Sequence, residues 1–123
     1  MPEPALPPSV FDRQIALARV GDDEDLLREL TEVFLDGVSG WLNDLHQAAA
    51  RGDAIALRRA GHTIKGAVGY FGADAAVAAA VRVEGLAHAG DLAGATAAVP
   101  ELEHTLDRLT TALRAAGLER PTS

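Results

Sequence analysis

Three residues in the run Ala60-Gly61-His62-Thr63-Ile64-Lys65-Gly66 have types and spacing that could do chemistry. A histidine, a lysine three residues on and a glycine four residues on share one side of a helix, because i+3 and i+4 neighbours line up. They supply a nucleophilic imidazole, a cation beside it, and a missing side chain where another protein could approach closely. Neutral imidazole is a competent nucleophile near neutral pH, since the unperturbed pKa of histidine is about 6.5. A lysine can pair with phosphoryl oxygens, and pairing with cations is the main help that proteins give to phosphoryl transfer. The chemistry that suits this group is phosphoryl transfer to nitrogen.

The rest of the chain lacks what a self-sufficient kinase needs. There is no G-x-x-x-x-G-K-[ST] loop and no kinase glycine-rich loop, so no ATP binding and no autonomous kinase activity are expected. The phosphoryl group should come from another protein, and the metal that activates it should sit on that protein. With no cysteine, the chain has no thiolate nucleophile or thiolate metal site. Glu101 and His104 form an E-x-x-H pair, but a carboxylate-bridged metal site needs a second such pair and two further inward glutamates. No metal site is expected. His46 and His88 are expected to be solvated or at element ends, and Trp41 to belong to the core.

Alanine and leucine dominate, and apolar residues recur at helical spacing rather than in alternation, so the fold class is all-α. Asp12 caps a short helix through Val20. Asp22 and Asp23 open a long helix to about Arg51, with Leu27, Leu30, Phe34, Trp41 and Leu45 on one stripe and the small Gly37 in register. Gly52-Asp53 repeats the stop-and-cap signal, and a third helix runs from Ala54 to about Tyr70. A fourth covers roughly residues 73–89. Gly90-Asp91 then opens a last helix over about 92–116, which Pro100 should kink or divide. Short connections between long amphipathic helices imply an up-and-down four-helix bundle with a short additional N-terminal helix. The domain is expected over residues 10–117, with a Pro-rich tail at 1–9 and a frayed tail at 118–123.

The third helix positions the histidine. Leu57, Gly61, Ile64, Val68 and Phe71 form its core stripe. At about 100° per residue, His62 falls roughly 140° from the stripe centre and Lys65 roughly 80° from it. Arg58, Arg59, His62, Lys65, Gly66 and Gly69 therefore share an exposed surface. A mid-helix glycine costs roughly 1 kcal/mol relative to alanine. In a sequence so rich in alanine, Gly66 and Gly69 point to close approach by a partner, with Arg58 and Arg59 as further docking residues.

The formal net charge of −7 argues against a nucleic-acid module. The proline-rich start has no basic region followed by an apolar one, so no signal peptide is expected, and no apolar run approaches a membrane span. The expectation is a cytoplasmic monomer that binds neither membrane nor nucleic acid.

The stretch from Ala60 to Ala73 resembles the motif of the histidine-containing phosphotransfer (HPt) domain family, written A-x-H-[TS]-[LI]-K-G-[SA] with a further small residue downstream. The Val10-Phe11-Asp12 opening, the Gly-Asp caps and Val83-Glu84 followed by Gly90-Asp91-Leu92 extend the likeness over roughly 10–116. The resemblance implies that His62 accepts a phosphoryl group from an aspartyl phosphate on a response-regulator receiver domain. His62 would then pass it to a second receiver. It also implies that Lys65 stabilises phosphoryl charge, that Gly66 leaves room for the receiver, and that Mg²⁺ belongs to the receiver. This chain would have no cofactor of its own, and a hybrid sensor histidine kinase would be a partner. Gly61, Ala67 and Tyr70 depart from the common pattern, where alanine, serine and asparagine are frequent. Two other readings are a non-catalytic docking bundle for a receiver or kinase, and the phosphoacceptor domain of a chemotaxis-type kinase. The intact His62, Lys65 and Gly66 weigh against the first.

Overall fold

The computed structural model describes residues 9–119. Residues 1–8 and 120–123, most of the two expected tails, lie outside the described residues. Five helices follow one another: α1 Arg13–Arg19, α2 Glu24–Arg51, α3 Ala54–Val68, α4 Asp74–His88 and α5 Leu92–Ala115. Among the described residues there is no strand. Helices α2 to α5 form an up-and-down bundle in which α3 packs against α2 and α4, and α4 against α5. The short α1 lies against the turn between α3 and α4.

Local sequence accounts for most helix ends. Asp12, Asp23, Asp53 and Asp91 each accept a hydrogen bond from the backbone N–H three residues on, at 3.1, 3.0, 3.0 and 2.9 Å. Each satisfies an N–H that the first helical turn leaves without a partner. Helix α4 is the exception: Ala73 precedes it with no side-chain cap. Its start is fixed by Gly72, whose φ of 60° favours glycine and whose added Cβ would lie 2.8 Å from that of Asp12.

The core holds Leu27, Phe34 and Leu45 of α2, the α3 stripe, and the α5 leucines from Leu102 to Leu113. Helix α3 stops at Val68, not at Tyr70, and Gly69–Phe71 tightens into a 3-10 turn. That turn brings Phe71 inward, edge-on to Phe34 with ring centroids 5.7 Å apart. Trp41, expected in the core, is half-buried, and its ring lies over Gly37. Pro100 does not divide α5; it sits on the exposed side of one continuous helix.

The packed unit also reaches past both expected boundaries. Ser9 accepts from Ala75 N–H at 3.0 Å and donates its hydroxyl to the Gly72 carbonyl at 2.8 Å. Leu118, expected in a frayed tail, is fully buried, and its N–H bonds to Leu113 O. Gly117 with φ 73° turns the chain back so that the next residue covers the end of α5, the usual hydrophobic partner of a glycine C-cap.

Candidate functional site

Burying one stripe of α3 determines what its other side shows. Leu57, Gly61, Ile64 and Val68 are buried, and His62 points outward with its side chain 70% exposed. Arg58, Arg59 and Gly66 are exposed, Gly69 is partly covered, and Lys65 stands half-buried on the flank nearest α4. Arg58, Arg59, His62 and Gly66 are exposed as the periodicity expects, while Lys65 and Gly69 are only partly so. Gly69 belongs to the 3-10 turn rather than to α3, and its carbonyl accepts a hydrogen bond from the Arg19 guanidinium on α1.

A residue that the sequence reading quoted only as part of the family likeness, not as a site residue, joins the group. Glu84 on α4 reaches across to α3, with one oxygen 3.3 Å from His62 Nδ1 and the other 2.8 Å from Lys65 Nζ. The lysine contact is a close ion pair outside hydrogen-bond alignment. Lys65, and to a lesser degree His62, hold the Glu84 carboxyl below its ordinary pKa, against the opposing effect of partial burial. A carboxylate can only accept hydrogen bonds, so this contact favours the proton on Nδ1 and leaves the lone pair on Nε2. The ring is thereby oriented with an unprotonated nitrogen for attack.

Helix packing explains why Glu84 can reach. A Cβ added to Gly61 would lie 3.1 Å from Glu84 N and 3.3 Å from Ala80 O. The missing methyl one residue before His62 lets α4 come close enough to bring its carboxylate to the imidazole. The departure from alanine at Gly61 is therefore tied to the site. The sequence did carry a signal for Glu84. It is a carboxylate beside the buried Val83 and one turn after the buried Ala80, on the packed side of an alanine-rich helix, and such a group needs a cation.

Gly66 and Gly69 behave differently from Gly61. A Cβ at either would meet nothing within 4 Å. Among the described residues nothing asks for glycine there, and both leave bare backbone beside His62 and Lys65. The remaining histidines lie apart. His46 pairs with Glu103 at 3.1 Å across α2 and α5, and His88 ends α4 in solvent. Among the described residues no group of three or more His, Asp or Glu side chains could hold a metal ion, and no helix is long and apolar enough to cross a membrane.

The Hpt domain family matches residues 29–115. Two solved structures share the fold. Histidine-containing phosphotransfer protein B (HptB) from Pseudomonas aeruginosa PAO1 superposes with a TM-score of 0.79 at 25% identity, over 91% of this chain and 96% of that one. The HPT domain from the Hpt sensor hybrid histidine kinase from Shewanella gives a TM-score of 0.79 at 16% identity, over 87% of this chain and 92% of that one. No curated protein matches the sequence significantly.

Proposed function

Because this chain belongs to the Hpt domain family, whose role is histidine phosphotransfer in phosphorelays, we propose that His62 is the residue that carries the phosphoryl group. The observation that carries this reading is the exposed imidazole held at Nδ1 by Glu84, beside Lys65 and the bare backbone of Gly66. His62 Nε2 attacks the phosphorus of an aspartyl phosphate on a receiver domain. The N–P bond forms, the P–O bond to the aspartate breaks, and the receiver recovers its carboxylate. The Nδ1 proton stays on the ring, facing Glu84. Lys65 turns its charge to the phosphoryl oxygens as they arrive. The reverse sequence delivers the group to the aspartate of a second receiver. Mg²⁺ is assigned to the receiver, and this chain works as a cytoplasmic carrier without a cofactor of its own. A receiver-bearing hybrid sensor kinase fits as the upstream partner.

The test is incubation with phosphorylated receiver domains and Mg²⁺. Acid-labile, alkali-stable label should appear on the wild-type chain and be absent from His62→Gln. Normal labelling of His62→Gln would refute the assignment.

A further inference from the structure

The outward side of α3 carries one large apolar side chain, Ile55, which is 66% exposed. It stands seven residues before His62, two turns along the same face. It adds nothing to the core, and a β-branched residue is a poorer helix former than the alanine this chain uses so freely. Ile55, Arg58, Arg59, His62, Thr63 and Glu84 line one open cleft. A second cleft, toward α2, is lined in part by Trp41, Ile55, Arg59 and Thr63, with both signs of charge at its edge from Arg51, Asp44 and Asp53. The two meet at Ile55, Arg59 and Thr63. The surface around His62 thus continues over α3 as a ridge that ends against the tryptophan of α2. Arg58 and Arg59 have no carboxylate partner among the described residues, although the chain is acidic overall.

We propose that the receiver domain seats across this ridge. Ile55 enters an apolar pocket of the receiver, carboxylates around that pocket pair with Arg58 and Arg59, and the contact extends to the Trp41 cleft. The charge left unpaired around a solvent-facing isoleucine is what selects an acidic-rimmed partner. This proposal rests on the phosphotransfer reading of His62.

Receiver domains encoded in the same genome are phosphorylated with acetyl phosphate, and the one that labels the wild-type chain fastest serves as the probe. Ile55→Asp is the decisive variant. It places a carboxylate in the first turn of α3, where the helix dipole favours it, so circular dichroism should stay unchanged. Transfer from the receiver should slow by about tenfold, as for loss of a central apolar anchor. Phosphoramidate, a donor too small to need the ridge, should label wild type and variant alike. Emission from Trp41, the chain's one tryptophan, should shift on titration with the receiver. An unchanged transfer rate in Ile55→Asp, or an unmoved emission at saturation, overturns the proposal and leaves the role of His62 standing. Failure of both donors to label the wild type overturns the reading beneath it. A concentration-dependent dimer that Ile55→Asp dissolves would assign the ridge to a second copy of the chain and also overturn the proposal.

Discussion

Glu84 unites the two catalytic candidates, and its lowered pKa makes a pH prediction. Its partner Lys65 favours the charged form in the folded chain, so between the lowered value and the ordinary one the unfolded chain binds more protons. The ion pair's contribution is therefore complete above the ordinary glutamate range and is lost as pH falls through the lowered value. The stability difference between wild type and Glu84→Gln should be largest near neutrality and shrink in acid, as read by urea unfolding at several pH values. A difference that grows in acid would contradict the geometry. His62 and Lys65 were legible in the sequence because their relation is set by one helix. Their link to Glu84 crosses between helices at a separation of 22 residues, and only the packing of α3 on α4 reveals it.

At the level of the helix, glycines separate into those that fold the protein and those that leave it open. Gly66→Ala fills empty space and removes a flexible residue, so it should raise stability by about 0.5–1 kcal/mol while slowing transfer. Gly61→Ala pushes on the α4 backbone. Overpacking of about 1–3 kcal/mol outweighs a propensity gain of about 1 kcal/mol, so stability should fall. Thermal melts of the two variants should move in opposite directions. The same distinction limits what the sequence could tell. The Asp caps and the α3 stripe were readable because each depends on neighbours within a turn or two. The fate of Leu118 depends on how Gly117 folds the chain back over the end of α5, so a residue beyond a stop signal looked like a tail. Leu118→Ala should cost about 2–4 kcal/mol by denaturant unfolding, the range for a buried leucine.

For the whole molecule, charge is unevenly placed. The chain carries −7 overall, yet among the described residues Arg58 and Arg59 have no carboxylate partner beside the site. If net charge governed encounter with an acidic-faced receiver, added salt would speed transfer by screening repulsion. If the local basic surface governs, salt slows it. Raising NaCl from about 0.05 to 0.5 M should slow transfer several-fold, because screening then acts over only a few ångströms. The combined variant Arg58→Glu and Arg59→Glu should be slow from the outset and much less salt-sensitive. Fold class and helix order were legible because periodicity and caps report on every helix. The asymmetry of charge was visible only in part, since the sequence lists arginines without showing which ones find a carboxylate.

The carboxylate that steadies the imidazole has a second consequence, for how long the carrier stays charged. A phosphorylated ring that keeps its Nδ1 proton is an imidazolium and departs as neutral imidazole, a far better leaving group than the imidazolate that an unprotonated ring would release. Glu84 Oε1, 3.3 Å from that nitrogen, is placed to accept its N–H. In the proposed transfer it would therefore favour cleavage of the N–P bond, which suits brief custody rather than storage. Glu84→Gln should hold its phosphohistidine longer than wild type once the donor is removed, as followed by loss of label over time. Loss as fast as in wild type would show that the lifetime is set elsewhere.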